Sequence, residues 1–157
     1  KSKFSIISFT LSENPCRYRK IIVTLRQTLN LKNMANQWFE KLPPSCPPSD
    51  SVECDGVYYR VSYGNPAESK DFFSQKQLAP DKEFKGEGID ECIVRAVSVF
   101  AMIDDAKRLL KLPKFKNANI AMVELKPQDG KIKKTFKKSH YSWWRSKSFD
   151  VNKAKIV

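Results

Sequence analysis

The sequence of this 157-residue chain lacks the glycine-rich signatures of the common phosphate-binding and nucleophile loops. It contains only five glycines, and none of them belongs to a Gly-x-x-x-x-Gly-Lys loop, a Gly-x-Gly-x-x-Gly turn or a Gly-x-Ser-x-Gly elbow. Such loops use glycine so that the backbone can approach the ligand closely. The sequence therefore argues against a phosphate cradle built from backbone amides.

Long apolar runs are also missing. No stretch approaches the roughly 18 apolar residues of a membrane-spanning helix, so we expect neither an integral membrane protein nor a membrane partner. The apolar stretch Phe4–Phe9, which follows Lys1 and Lys3, is shorter than a signal-peptide core and lacks a small-residue cleavage site. We therefore predict a soluble, cytoplasmic protein.

Metal-ligating residues are scarce. The single histidine, His140, is distant in sequence from every cysteine, and no cysteine lies in a C-x-x-C pair. A zinc site needs four ligands at characteristic close spacing, so we predict no metal site. An even number of cysteines permits disulfides, but we expect reduced thiols as in a cytosolic protein. The four cysteines are Cys16, Cys46, Cys54 and Cys92.

The composition is that of a globular protein with basic ends. Hydrophobic residues make up 41% and aromatic residues 11%, enough for one core. The net charge of +12 is distributed as +6 over residues 1–33, −2 over residues 34–125 and +8 over residues 126–157. A near-neutral body with basic termini is typical of a folded domain that presents segments to a polyanion.

The same division predicts the domain organisation. Residues 1–33 contain no clear cap or turn signal, whereas Met34 begins a segment with regular apolar patterning. We interpret residues 1–33 as a basic, nonessential N-terminal extension. Residues 34–157 are then a single domain with basic C-terminal strands.

Local patterns predict the elements of this domain. Asn65, Pro66 and Glu68 form a helix-start signal, and the helix is expected to end near Leu78. A second helix is predicted before Pro113, over residues 105–111. Strands are predicted from β-branched and aromatic content at residues 57–63, 97–100, 120–125, 131–136, 141–145 and 153–157. The last three are consecutive, which indicates a meander and an α+β fold with a mostly antiparallel sheet and two or three short helices.

The most distinctive segment lies at residues 131–145, where five lysines within eight residues precede three large aromatic residues and an arginine. Lysines neutralise phosphates, and aromatic rings provide surfaces on which unpaired bases stack. We therefore predict binding of nucleic acid or another polyanion, without a cofactor. Alternatively, the tryptophans belong to the core and the lysines form a solvated face. The candidate residues are Lys131, Lys133, Lys134, Lys137, Lys138, His140, Tyr141, Trp143, Trp144 and Arg145.

A second hypothesis rests on a resemblance. Tyr59-Arg60-Val61, then Val97-Ser98-Val99-Phe100, then Val123-Glu124-Leu125 is similar to the arginine–serine–glutamate order of ADP-ribosyltransferase-like folds. The resemblance covers residues 57–125 and implies an enzyme that uses NAD. It implies that Arg60 holds the cofactor phosphates, that Ser98 lines the nicotinamide pocket, and that Glu124 engages the ribose. The Ser-Thr-Ser triplet and the paired acidic residues of the clearest members are not present.

Two further expectations concern individual residues. On the predicted strand, Glu124 shares a face with Ile120 and Met122, so the carboxylate needs a partner or a pocket, and Arg60 is the expected partner. His140 has no serine or cysteine partner that the sequence identifies, and no nucleophilic pair is predicted from it.

Overall fold

A seven-stranded antiparallel sheet organises residues 37–136 and 138–157, which are the residues that the computed structural model describes. Two α-helices, α1 (Gln75–Leu78) and α2 (Ile103–Leu109), and five short 3-10 turns complete this part of the chain. The strands are β1 (Val52–Glu53), β2 (Gly56–Ser62), β3 (Val97–Phe100), β4 (Asn119–Leu125), β5 (Gly130–Lys134), β6 (His140–Arg145) and β7 (Lys155–Ile156). Because the sheet dominates, the predicted α+β class is confirmed only in part.

The strand order across the sheet is β1-β5-β6-β3-β2-β4-β7. The hairpin of β5 and β6 forms as the sequence predicted. The continuation of the meander was wrong, because β7 pairs with β4, where Ala121 faces Ile156. Strand β6 is already paired with β5 on one side and β3 on the other, so it has no free edge for β7.

The helix predicted to run from Pro66 to Leu78 is divided into two short pieces. A 3-10 turn covers Ser69–Phe72, and α1 begins only after Ser74, whose hydroxyl accepts a hydrogen bond from the Gln77 amide at 3.0 Å. The Asp71 carboxylate likewise accepts from the Glu68 amide at 2.8 Å. Each cap satisfies the backbone locally, and this competes with one continuous helix.

The two faces of the sheet pack into separate hydrophobic clusters. Neighbouring residues of a strand point to opposite faces, so Trp143 and Trp144 belong to different clusters. The larger cluster contains Trp143 with Cys54, Ala67, Phe72, Val97, Val99, Ala121, Val123, Leu125, Ile132 and Phe149. The smaller one contains Trp144 with Trp38 and Ala96. Both indoles are completely buried.

The cysteines depart from the expectation of four reduced thiols. Cys46 and Cys92 form a disulfide with Cα atoms 5.6 Å apart, within the range that the bond permits. Both residues pack against the Trp144 cluster. Cys54 is a buried free thiol, and burial raises its pKa to about 12. Cys16 lies outside the described residues.

Two other predictions concern residues that the structure does not describe. These are the N-terminal extension, residues 1–33, and Lys137. Among the helices of the described residues, none has the length and apolar character needed to span a bilayer.

Candidate functional site

The candidate site is built where β2 and β3 stop pairing. These strands share one ladder position, Tyr59 opposite Phe100, while β2 pairs with β4 along all seven of its residues. Beyond this pair, β3 has no further ladder partner on β2, and its Ser98 carbonyl accepts from a side chain instead. A buried carbonyl needs a hydrogen bond, and the Arg60 side chain supplies it.

Arg60 donates from all three guanidinium nitrogens to backbone carbonyls. Nη1 donates to Ser98 O at 2.7 Å, Nη2 donates to Phe73 O at 2.8 Å, and Nε donates to Asp71 O. Burial lowers the pKa of Arg60 to about 10, although the Asp71 charge opposes this shift. At neutral pH, the guanidinium is therefore a fixed positive charge beside Ser98.

Asp71 is held by a ring of donors. Its carboxylate accepts from the Ser62 hydroxyl at 2.9 Å and from the amides of Tyr63, Gly64 and Glu68 at 2.8, 3.2 and 2.8 Å. Burial acts to raise the pKa of Asp71, but these hydrogen bonds outweigh it and the pKa is lowered. These hydrogen bonds hold in place the loop whose backbone carbonyls, Asp71 O and Phe73 O, accept from Arg60.

A cavity of about 670 Å³ opens in the gap between the two strands. Arg60 and Val61 line it from β2, and Ser98 and Phe100 line it from β3. Three exposed lysines stand on its wall, namely Lys70, Lys82 and Lys114. The remaining lining is mostly apolar or aromatic and includes Tyr63, Leu78, Ala79, Phe84, Leu109 and Phe115. We call this space the β2–β3 cavity.

On the β3 side, Ser98 belongs to a chain of polar side chains. Its hydroxyl lies 2.6 Å from Nε2 of His140, and Nδ1 of the same ring lies 3.0 Å from the Thr135 hydroxyl. The Thr135 hydroxyl in turn lies 2.8 Å from the Ser142 hydroxyl. The rings of Phe100 and Phe136 contact the imidazole edge-on, each with its centroid 5.2 Å away.

The environment of His140 favours the neutral imidazole. Burial lowers its pKa, and the nearby Arg60 charge acts in the same direction. A hydrogen bond to the Thr135 backbone opposes the shift without reversing it. A neutral imidazole can accept a proton at one nitrogen while it donates from the other.

No family model, no curated protein and no solved structure matches this chain. Within the described residues, no group of three or more His, Cys, Asp or Glu side chains is arranged to hold a metal ion.

The three residues of the arginine–serine–glutamate hypothesis come together only in part. Arg60 and Ser98 line the same cavity, whereas Glu124 does not line it. The expected pairing of Glu124 with Arg60 was wrong. Arg60 pairs across the ladder with Ala121, three residues from Glu124 and roughly 10 Å along β4. The Glu124 side chain is 68% exposed and lies 3.7 Å from Lys126.

The basic and aromatic residues of 131–145 are also separated. Trp143 and Trp144 are inside the protein, where their indole N–H groups donate to Asp129 O and Cys92 O, each at 3.0 Å. This is the core alternative that the sequence left open, and it leaves no indole face accessible for stacking. Arg145 is 8% exposed and lies over the Phe39 ring at 3.9 Å.

The lysines of the same segment do not form one row. Lys131 and Lys133 lie on one face of β5, and Lys134 lies on the opposite face. Lys133 is paired with Asp50 at 2.8 Å. Lys134 and Lys138 are exposed, and Tyr141 is half-buried beside Tyr58. Lys137 lies outside the described residues.

The pairing of Ser98 with His140 is the feature that sequence reasoning missed. Ser98 faces Ser142 and Phe100 faces His140 in the β3–β6 ladder, so Ser98 and His140 are diagonal neighbours on one face. The alternation within each strand was readable from the sequence. The register that sets these strands side by side was not, because 42 residues separate Ser98 from His140.

Proposed function

We propose that this chain binds a phosphate-bearing aromatic molecule of the nucleotide class in the β2–β3 cavity. NAD is the member of that class that the ADP-ribosyltransferase resemblance suggests. The observation that carries the proposal is the presence of Arg60 and Ser98 in the lining of one cavity, together with three lysines.

The chemistry of the lining supports this ligand class. Lys70, Lys82 and Lys114 are cations that attract phosphate groups, and Arg60 adds a positive charge at the inner wall. Phe100 and Phe115 offer apolar surface to a flat ring. The volume of about 670 Å³ lies in the range of sites for small molecules and cofactors.

Catalysis on NAD is a further part of the proposal. Two of its three expected residues line the cavity, and the exposed Glu124 is not one of them. The carboxylate in the lining, that of Asp71, is already hydrogen-bonded to four donors. The described residues of the lining thus offer no free carboxylate for the ribose. In an ADP-ribosyl transfer, the acceptor molecule would have to supply that carboxylate.

The test is calorimetric titration of the protein with NAD, ADP-ribose and pyrophosphate, combined with an assay for released nicotinamide. Replacing both Lys82 and Lys114 with Gln should weaken NAD binding by about tenfold, at about 0.7 kcal/mol for each exposed cation. The matched control replaces Lys134 and Lys153, which do not line the cavity, and should leave binding unchanged. Glu124→Gln should also leave binding unchanged. Absence of NAD binding at millimolar concentration by folded protein would overturn the proposal.

Polyanion binding by the C-terminal segment is a second candidate, supported by the exposure of Lys134 and Lys138. Without accessible tryptophan rings, the interaction would be mainly electrostatic and insensitive to base sequence. Replacing Lys134 and Lys138 with Gln should then flatten the slope of log affinity against log salt by about 0.7 to 0.9 for each phosphate that a lysine no longer neutralises. An unchanged slope on single-stranded and duplex nucleic acid would contradict this candidate.

The cytoplasmic location expected from the sequence also remains a proposal. The Cys46–Cys92 disulfide stands against it, because reducing compartments keep most thiols unpaired. Mass spectrometry of protein alkylated directly in cell lysate would decide. Two alkylated cysteines at positions 46 and 92 would support the cytoplasm, and two blocked positions would support an oxidising compartment.

A further inference from the structure

The pair formed by Ser98 and His140 has a geometry that the NAD hypothesis does not use. A hydroxyl within hydrogen-bond distance of an imidazole nitrogen is the arrangement that activates a serine for attack. The separation of Ser98 Oγ and His140 Nε2 is 2.6 Å. Ser98 lines the β2–β3 cavity, so a bound molecule would meet this residue.

The other side of the imidazole offers an acceptor for the tautomer that a general base requires. The ring is hydrogen-bonded to Thr135, whose hydroxyl lies 3.0 Å from Nδ1, and the contact with the Thr135 backbone is one that favours a donating ring N–H. With Nδ1 as the donor, Nε2 is left as the acceptor for the Ser98 hydroxyl proton. Thr135 is thus a positioning residue, in the place that a carboxylate occupies in a triad.

Arg60 supplies the charge that acyl transfer needs. A guanidinium carries five N–H groups, and three nitrogens of Arg60 each donate once to a carbonyl. Among the described residues, the other two N–H groups have no hydrogen-bond acceptor, on a residue that lines the cavity and whose Nη1 lies 2.7 Å from the backbone carbonyl oxygen of Ser98. A fixed cation that holds the Ser98 backbone adds favourable electrostatics for the oxyanion that forms when a carbonyl is attacked.

We propose that Ser98 and His140 are a nucleophile and its general base for the hydrolysis of carboxylic esters that carry a negative charge. Ser98 Oγ bonds to the ester carbonyl carbon while its proton passes to His140 Nε2. The bond to the alcohol oxygen then breaks, and that oxygen takes the proton from His140. Water attacks the acyl-Ser98 with His140 again as base, which releases the acid and restores Ser98. Lys70, Lys82 and Lys114 select the charged ester.

This proposal goes beyond nucleotide binding, although it uses the same cavity, and its readout is separate. The probe is 4-nitrophenyl hemisuccinate, with neutral 4-nitrophenyl butyrate as the comparison ester. We expect a burst of nitrophenolate that approaches one per chain, a mass increase of one succinyl group, and peptide mapping of that group to Ser98. The burst rate should rise with pH through the His140 pKa, below its usual value of 6.5.

Variants make the assignment specific. Ser98→Ala should abolish the burst, and His140→Gln should slow it by roughly 10²- to 10⁴-fold. The control is Ser69→Ala, because Ser69 is exposed and outside the pair, and it should behave as the unmodified chain. Replacing Lys82 and Lys114 with Gln should slow reaction with hemisuccinate more than reaction with butyrate.

The outcomes separate the two proposals. Succinylation confined to lysines, or a burst of equal size in folded Ser98→Ala, overturns the ester proposal, whether or not the protein binds NAD. If Ser98→Ala fails to fold, mapping of the succinyl group on the unmodified protein still decides. NAD binding without succinylation of Ser98 would support nucleotide binding and overturn the ester proposal. Succinylation of Ser98 without NAD binding would support the ester proposal and overturn NAD as the ligand.

Discussion

At the scale of single residues, the two adjacent tryptophans serve opposite sides of the sheet. Trp143 makes edge contacts with Phe72 and Phe149 in the larger cluster, at centroid distances of 6.3 and 4.8 Å. Trp144 packs with Trp38 and Ala96 in the smaller one. Each indole N–H is satisfied by a backbone carbonyl, so the burial of these large rings carries no unpaired donor.

Replacing Trp143 with Ala should therefore act on folding. We expect a loss of about 3–5 kcal/mol in the free energy of unfolding, because a large aromatic side chain leaves a cavity that the sheet cannot close. Urea denaturation measures this loss. Phe136→Ala is the control, since that ring is 54% exposed and its removal should cost far less. A stable Trp143→Ala protein with weakened nucleic-acid binding would contradict the core assignment.

His140 gives a pH dependence that can be followed without interference, because it is the single histidine of the chain. Burial lowers its pKa in the folded state, so the unfolded chain takes up a proton first as the pH falls. Its contribution to stability is therefore complete above the unfolded value of about 6.5 and is lost as the pH falls through the folded pKa.

An NMR titration of the His140 ring should give a midpoint below 6.5. The free energy of unfolding of the unmodified chain should also fall more steeply between pH 7.5 and pH 5 than that of His140→Gln. A midpoint above 6.5, or identical pH profiles for the two proteins, would show that the ring is not held neutral by its surroundings.

At the scale of elements, the Cys46–Cys92 disulfide joins the proline-rich segment before β1 to the turn before β3. The two cysteines are 46 residues apart in sequence. A cross-link that closes a loop of this length restricts the unfolded chain, and its removal typically costs about 2–4 kcal/mol.

Reduction should accordingly lower the melting temperature. The Cys46→Ser, Cys92→Ser double variant should melt at the temperature of the reduced protein and should not respond to dithiothreitol. Differential scanning fluorimetry with and without reductant checks both statements. A melting temperature that reductant leaves unchanged in the unmodified chain would mean that the cross-link adds nothing to stability.

Also at this scale, the single ladder pair between β2 and β3 decides where the site lies. A continuous ladder would have filled the gap with backbone hydrogen bonds, and Arg60 would have no carbonyl to bind on β3. The divided segment of residues 69–78 supplies the other two acceptors, Asp71 O and Phe73 O. The break in the predicted helix and the break in the ladder therefore create one site together.

At the scale of the whole molecule, the described residues 37–136 and 138–157 by themselves supply seven paired strands and two hydrophobic clusters. A chain that begins at Met34 should therefore fold as well as the full chain, which thermal unfolding of both proteins will show. A melting temperature lowered by more than about 10 °C would correspond to a loss of a few kcal/mol and would place the extension in the core.

The sequence by itself determined the elements with strong local patterns. The alternation at residues 120–125 predicted β4, the consecutive strands at residues 131–136 and 141–145 predicted the β5–β6 hairpin, and β-branched and aromatic residues predicted β2 and β3. Local periodicity is sufficient for such elements because the apolar and polar residues of one strand show by themselves which face is buried.

Only the tertiary structure decided which strands are neighbours and, through them, the candidate site. The pairing of β7 with β4, the disulfide and the Ser98–His140 pair all join residues distant in sequence. Local patterns carry no information on such contacts, because register depends on which sheet edge is free and on which buried carbonyl lacks a donor. Glu124 was predicted beside Arg60 from its strand face, but the register placed it three residues too far along β4, in solvent.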